Sequence, residues 1–303
     1  MRILFVSSNR LGDAVLTTGL LDHLLRTYPA ARFTVATGPV AAGVFARMPN
    51  LERLIVLEKR RFGAHWLGLW GFAARRFWDL VVDVRGSALG FLVPARRRAV
   101  MRRRGGHKTE QLAAMLRLDP PPLPVAWTAA ADRDLAARLI PAGPPVIALG
   151  PTANWAGKVW PAERFVELFL ALRAGALPGA RAAVFAGPGE KEAAMAAPVL
   201  AALPGAIDLV GRLEIPEVAA CLARCALYAG NDSGLMHLAA AAGVPTLGLF
   251  GPTPWREYGP AGARTAVAVA ADGTMAGLGV AAALDAAAGL LGARAVASPA
   301  GGA

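Results

Sequence analysis

The richest chemical string in the chain is GNDSGLMHLAAAAGVPTLGLFGPT at residues 230–253. An apolar strand, then Asn-Asp-Ser-Gly, then a helix makes a ready anion site. Ser233 and Gly234 offer backbone N–H groups at the positive end of the helix, and Gly234, with no Cβ, lets a phosphate come close to the backbone. Asp232 precedes the turn, and His237 lies one helical turn further in, on the same face as Ser233. The same residues also describe an ordinary capped helix with a half-buried His237. The small residues from Ala239 to Gly243 permit close helix–sheet packing in either case.

Three further strand-to-helix loops carry polar side chains. In NRLGD (9–13), Gly12 permits a tight turn and Asp13 opens the helix. From the residues alone the stronger reading is a first-turn acid favoured by the helix dipole. The other is a carboxylate that accepts a proton from a substrate hydroxyl. In GPTANWAGKVWPAERF (150–165), Thr152, Asn154 and Lys158 cluster ahead of a helix start at Pro161. An ammonium beside a helix N-terminus suits a diphosphate. Equally, Trp155 and Trp160 could simply pack the loop and leave Lys158 solvated. In AGPGEKE (186–192), Glu190 stands where an acid can hydrogen-bond ribose hydroxyls or merely face water at a helix start. G-x-G-x-x-G is absent after the first strand and the G-x-x-x-x-G-K-[ST] spacing is missing around Lys158, so neither a dinucleotide fingerprint nor a Walker loop is present there.

These loops need elements to hold them. At roughly 150 residues per domain, 303 residues suggest two domains, and 55% hydrophobic against 17% charged residues excludes a disordered chain. Apolar runs at 3–7, 33–37, 54–57 and 80–84 predict strands, with helices at 14–28, 40–47 and 65–78. DPPPLPVAW (119–127) and PAGPP (141–145) break the pattern, and the boundary is expected in this Pro-rich stretch, between a domain of residues 1–140 and one of 141–303. The alternation then restarts, with strands at 146–150, 182–187, 226–230 and 245–251 and helices at 131–139, 163–174, 190–202, 216–224 and 233–243. An Ala-rich helix at 280–292 and a frayed ASPAGGA tail close the chain. All-apolar strands alternating with helices predict an α/β fold of two doubly wound parallel sheets. Such sheets bind ligands outside the carboxyl ends of their strands, where the four loops fall, and two such halves leave a cleft between them.

The formal charge is +11, and it is concentrated. Between Asp83 and Glu110 lie Arg85, Arg96, Arg97, Arg98, Arg102, Arg103, Arg104 and Lys108 with no acid among them. Such a field attracts phosphates, acidic sugars or an anionic membrane surface. It lacks the interleaved aromatics or motif of a nucleic-acid site, so no nucleic-acid partner is expected. Cys221 and Cys225, one turn apart, are too few for a disulfide framework or a metal site and read as core residues; no metal is expected. ADRD (131–134) follows the Pro-rich stretch at a helix start and reads as capping. The first residues lack a signal-peptide apolar core, and the longest uncharged run, Ser233 to Trp255, is interrupted by Pro245, Pro252 and Pro254. The expected location is the cytoplasm, with peripheral membrane contact.

NRLGDAVLTTGLL, TANWAGKVWPAERFVEL and GNDSGLMHLAAAAGVPTLGLFGPT followed by YGP resemble, in order and over nearly the whole chain, the bacterial ADP-heptose:lipopolysaccharide heptosyltransferases of glycosyltransferase family 9. The resemblance implies a GT-B fold: two Rossmann-like domains facing across a cleft, acceptor on the first and nucleotide-sugar on the second. Carried over by position, Asp13 matches the general base, and Lys158 the lysine near the donor diphosphate. Thr152 and Asn154 lie in the donor loop. Glu190 matches the ribose acid, with Glu192 close enough to compete, and Asp232, Ser233, Gly234 and His237 match the donor-phosphate motif. The implied chemistry is inverting transfer of a heptose or related sugar from a nucleotide diphosphate, ADP-heptose foremost, to the inner core of lipopolysaccharide or a similar acidic glycolipid. No metal, cofactor or covalent intermediate is required. Arg96, Arg97, Arg98, Arg102, Arg103, Arg104 and Lys108 would face the acceptor or the cytoplasmic face of the inner membrane.

Two other readings make different demands. A sugar-nucleotide epimerase of the same architecture would release an altered free sugar and need no acceptor. A non-catalytic nucleotide- or nucleic-acid-binding module would depend on Arg96–Arg104 and not on Asp13.

Overall fold

The computed structural model describes residues 1–102 and 104–292. Arg103 and the tail expected to fray lie outside the described residues. The chain divides into two compact units, Met1–Ala129 and Ala130–Ala303.

The first unit holds β1 (Arg2–Val6), α1 (Leu11–Thr27), β2 (Arg32–Thr37), β3 (Leu51–Val56), α2 (Ala64–Ala73), β4 (Trp78–Asp83), α3 (Leu89–Leu92), β5 (Ala95–Val100) and α4 (Lys108–Leu116). Its five strands are all parallel, in the order β3-β2-β1-β4-β5. Ile3 to Val6 are fully buried, which explains why β1, with no polar face, sits at the centre of the sheet. The predicted helix at 65–78 ends at Ala73, since Trp78 already begins β4. The one expected near 40–47 is a 3₁₀ helix, Pro39–Phe45. The sequence reading missed β5 altogether. ARRRAV looks like a solvated charge run, yet it pairs with β4 as an edge strand, where arginines discourage further strand addition.

The Pro-rich stretch belongs to this unit. The Val125 N–H donates to Thr18 Oγ1 at 2.8 Å, and a Cβ on Gly19 would stand 2.5 Å from the Pro122 carbonyl oxygen. The missing side chain at Gly19 therefore lets the stretch cross α1 at close range.

The second unit opens with α5 (Ala130–Leu139), followed by β6 (Val146–Gly150), α6 (Ala162–Ala174), β7 (Arg181–Ala186), α7 (Glu190–Ala202), β8 (Ile207–Val210), α8 (Ile215–Leu222), β9 (Leu227–Asn231), α9 (Gly234–Ala241), β10 (Thr246–Phe250), α10 (Trp255–Tyr258), β11 (Thr265–Val269) and α11 (Val280–Gly292). The division falls at 129/130 and not at the expected 140/141 because α5 packs against α8. The six parallel strands run β11-β10-β9-β6-β7-β8. Ile147, Leu149, Val184, Leu227 and Leu249 from the strands meet Phe165, Leu168, Phe169, Ala283 and Ala287 from the helices in one core. Each unit is thus a doubly wound Rossmann-like sheet whose central strands are buried on both faces.

Candidate active site

In the second unit, the loops after β6 and β9 meet at the carboxyl edge of the sheet. These strands are neighbours, and their last paired residues are Gly150 and Gly230. Ser233 is the N-cap of α9, but its side chain makes no cap hydrogen bond. Lys158, from a 3₁₀ turn at Ala156–Lys158, reaches across to Asp232: Nζ lies 2.5 Å from Oδ2, with the side chains 20% and 9% exposed. The loop is held there by its tryptophan. Trp160 is fully buried, its backbone N–H donates to Asn231 Oδ1 at 3.1 Å, and its indole N–H donates to the Leu278 carbonyl at 2.8 Å. Trp160 thus packs the loop, as one of the two sequence readings held. It also fixes Lys158 beside the start of α9, so the packing and chemical readings are compatible.

Thr152, Asp232 and His237 are buried in this edge, while Asn154 is exposed and its carbonyl accepts from Lys191 Nζ at 3.3 Å. The structure therefore brings Thr152, Lys158, Asp232, Ser233, Gly234 and His237 together and leaves the Asn154 side chain at the rim. Ser233 Oγ and Asn231 Nδ2 are buried with no hydrogen-bond partner among the described residues. Native proteins satisfy such atoms almost everywhere else, so a polar group approaching α9 meets donors not already engaged.

Tyr228, which the sequence reading did not single out, also belongs to this edge. It is fully buried, and its side chain runs beneath the two strand-end glycines. A Cβ on Gly150 or Gly230 would come within 2.3 Å of the hydroxyl or closer. Burial pushes the Tyr228 phenol well up. The Ser233 hydroxyl is near enough to oppose that shift, although the two do not reach hydrogen-bond geometry. The two glycines were visible in the sequence as strand ends; the ring that needs them was not.

The third loop of this unit separates the two competing acids. Glu192 accepts from the Gly187 N–H at 3.2 Å and so holds the turn after β7. Glu190, the first residue of α7, is exposed and makes no side-chain hydrogen bond among the described residues. Of the two, Glu190 is the one available to a ligand.

In the first unit, Asp13 lies in the first turn of α1 and is half-buried. It does not cap the helix; among the described residues its one side-chain hydrogen bond is from the Ser8 hydroxyl at 3.4 Å. The neighbouring loop after β4 is organised by buried Asp83, which accepts from the Arg85 and Ser87 N–H groups at 2.9 and 3.0 Å. Arg85 in turn donates to Asn9 Oδ1 at 3.0 Å and stacks over Trp66. Asn9 is packed so tightly that a Cβ on Gly38 would stand 2.8 Å from it. The structure thus places around the loop that carries Asp13 the buried Asp83, which the sequence did not single out, and Arg85, which the sequence marked only as part of the basic stretch.

The basic stretch does not form a single face. Arg98 is committed to protein, donating to the carbonyls of Gly90, Val93 and Ala95. Arg97 donates to the Tyr28 hydroxyl at 3.2 Å and sits over its ring. Lys108 approaches Gln111 Oε1 at 3.5 Å on α4. Arg96, Arg102 and Arg104 are exposed. Among the described residues there is no group of three or more His, Cys, Asp or Glu side chains placed to hold a metal ion, and no helix long and apolar enough to cross a membrane.

Against this geometry, comparison with known proteins is decisive for the family. Residues 98–283 match the model of glycosyltransferase family 9 (heptosyltransferase). The chain belongs to glycosyltransferase family 9. It is a glycosyltransferase of GT-B type. It is 31% identical to lipopolysaccharide heptosyltransferase 1 of Pseudomonas aeruginosa, over 84% of this chain and 79% of that protein. Its fold matches that of a family 9 glycosyltransferase from Veillonella parvula, with a TM-score of 0.81, 24% identity and coverage of 96% and 97% of the two chains. It also matches the fold of the E. coli ADP-heptose lps heptosyltransferase II, with a TM-score of 0.77, 20% identity and coverage of 98% and 100%.

Proposed function

We propose that this glycosyltransferase moves a heptose from ADP-heptose to the inner core of lipopolysaccharide or a closely similar acidic glycolipid. The observation that carries the donor half is the Lys158–Asp232 pair at the start of α9, beside a buried Ser233 hydroxyl with no partner among the described residues. An ammonium, a helix N-terminus and unengaged donors together suit a diphosphate. Asp232 accepts one of the three Lys158 N–H bonds and leaves the others for phosphate oxygens. Glu190 accepts from the ribose hydroxyls, with Thr152 and His237 as further donor contacts and Asn154 at the rim.

Asp13 is the general base. Because its carboxylate makes only one long contact among the described residues, it is available to take the proton from the acceptor hydroxyl as that oxygen attacks the anomeric carbon. The bond from the anomeric carbon to the diphosphate breaks as the new one forms, and the nucleotide leaves with the electron pair. The configuration at that carbon inverts. Negative charge grows on the departing diphosphate, and Lys158 with the α9 N–H groups stabilises it more in the transition state than in the ground state. This displacement balances with no cofactor, no metal and no covalent intermediate. The acceptor is anionic, in keeping with Arg96, Arg102 and Arg104, and the protein works in the cytoplasm against the inner membrane that carries it.

Calorimetric titration with ADP, UDP, GDP and ADP-heptose tests the donor assignment. Binding confined to the two adenine compounds, and weakened by Lys158→Ala, is the expected result. Preference for UDP or GDP contradicts the heptose donor, and binding of none contradicts the site.

A further inference from the structure

One surface of the first unit is built against the usual rule for a water-facing helix. The sequence of α2, AHWLGLWGFA, is apolar all round, yet only Leu69 and Ala73 are buried. Leu67 and Trp70, neighbours at i and i+3, are 70% and 45% exposed. The short α3 continues this surface: the Trp70 indole N–H donates to the Leu92 carbonyl at 3.1 Å, and Leu92 and Phe91 are 62% and 63% exposed. Ahead of α2, Phe62 is 92% exposed in a left-handed backbone conformation at φ 52°. A bulky residue at positive φ is disfavoured, and here the ring stands in solvent with the Arg61 guanidinium over it.

The charge in this part of the chain is predominantly positive. From Lys59 to Lys108 the sequence has thirteen Lys and Arg residues against two acids, Asp79 and Asp83, and Asp83 is buried. Arg61 stacks on Phe62 and Arg76 on Phe72, so cationic heads lie against the aromatic rings themselves. Phe91 also lines a cavity of about 330 Å³ whose walls carry Arg102, Arg104 and Arg117, with no acid among its described lining residues. An exposed apolar surface with a tryptophan, bordered by arginines and adjoining an arginine-lined hollow, matches the layered chemistry of a bilayer interface. Apolar side chains enter the acyl boundary, tryptophan and arginine sit at headgroup level, and phosphates meet guanidinium groups.

We infer that the face formed by Phe62, Leu67, Trp70, Phe91 and Leu92 docks on an anionic phospholipid bilayer, with lipid phosphate entering the Arg102–Arg104–Arg117 cavity. The inference deepens the proposed work at the inner membrane by naming the face that meets it, and it does not rest on the heptose donor: the five residues include neither Asp13 nor any donor residue, and Arg102 and Arg104, which also suit an anionic acceptor, meet lipid phosphate when no acceptor is present.

The test is flotation of the purified full-length protein with vesicles, without donor or acceptor. Vesicles of phosphatidylcholine alone are compared with phosphatidylcholine containing a third phosphatidylglycerol, at low and high salt. Binding is expected only with phosphatidylglycerol and is expected to weaken with salt. At about five-fold per arginine near the surface, Arg61→Gln with Arg104→Gln should lower the affinity on the order of 30-fold. Leu67→Gln with Phe91→Ser should abolish flotation while changing the melting temperature little, since both side chains are more than 60% exposed. Leu170→Ser, an exposed apolar site on α6 of the second unit, should change nothing. Equal binding to neutral vesicles, insensitivity to the Leu67/Phe91 pair, or loss of that face into a protein dimer that forms without lipid would each overturn the inference. Quenching of the Trp70 fluorescence by brominated lipid, read as the difference from Trp70→Phe, gives an answer even if a double variant misfolds: no quenching contradicts docking.

Discussion

Replacing Lys158 by Met keeps the length of the stem and removes only the charge, and two separate losses follow. The first is in stability. The partners are 2.5 Å apart and the side chains 20% and 9% exposed, so the pair lies between the surface case, worth about 0–1 kcal/mol, and the deeply buried one, where removing a partner costs about 3–5 kcal/mol. A loss of about 2 kcal/mol is expected, which in a unit of this size lowers Tm by roughly 4–8 °C. The second is in binding. A charge-assisted hydrogen bond is worth about 1.5–3 kcal/mol, so ADP should bind about 10- to 150-fold more weakly under conditions where both proteins are fully folded. The informative control is Asp232→Asn. It also breaks the pair and should lower Tm, but it keeps the ammonium and removes a negative charge near the diphosphate, so ADP affinity should fall by less than about five-fold. Calorimetry and thermal melts on the unsubstituted protein and the two variants separate these effects. If Asp232→Asn weakens ADP as much as Lys158→Met does, or if Lys158→Met leaves ADP binding intact, Lys158 does not act on the diphosphate and the reasoning fails.

Four shorter predictions follow from the same geometry. Asp13→Asn should reduce turnover about 10²- to 10⁴-fold, the usual range for a lost general base, with ADP affinity and Tm unchanged; steady-state rates and a melt check this. Glu190→Gln should weaken ADP and leave Tm alone, whereas Glu192→Gln should lower Tm because it loosens the Gly187 turn, so titrations and melts should sort the two acids. Gly230→Ala should destabilise the second unit by about 1–3 kcal/mol as the new Cβ meets the Tyr228 hydroxyl, seen as a lower denaturant midpoint. Burial pushes the Cys221 thiol from 9.0 to about 11, helped by Glu217, and Cys225 higher still. Both should therefore resist a thiol reagent at pH 8 until the protein unfolds. Because the unfolded thiols ionise first, stability should fall as pH rises from about 9 toward 11.

What could be read in the sequence and what could not divide on physical grounds. Strands such as VIALG are apolar at every position, and burial on both faces is their only stable use, so the central strands of both parallel sheets were legible with most of their helices, whereas the edge strands β5, β8 and β11 and helix α4 were not. The Asn-Asp-Ser-Gly turn was legible because strand, small residue and helix follow in fixed order. Distant pairing was not. Nothing local in ARRRAV shows that Arg98 will bind the carbonyls of Gly90, Val93 and Ala95, or that the segment will close a sheet edge; its position between Pro94 and the Gly105–Gly106 turn was the available hint. The separation of Glu190 from Glu192 depends on one backbone N–H, and the importance of Tyr228 depends on two glycines from different strands. Helix α5 follows the Pro-rich stretch, and only its packing on α8 shows which unit it joins.

The measurement that bears most directly on the account is a transfer assay with purified protein, ADP-heptose and a lipopolysaccharide acceptor lacking its heptoses, followed by mass analysis of the acceptor and by release of ADP. The account predicts one heptose added per ADP released, of inverted anomeric configuration, with neither product formed by Asp13→Asn beyond the residual rate given above. ADP release that needs no acceptor and yields an altered free sugar would contradict it, as would an acceptor left unchanged while ADP-heptose binds tightly.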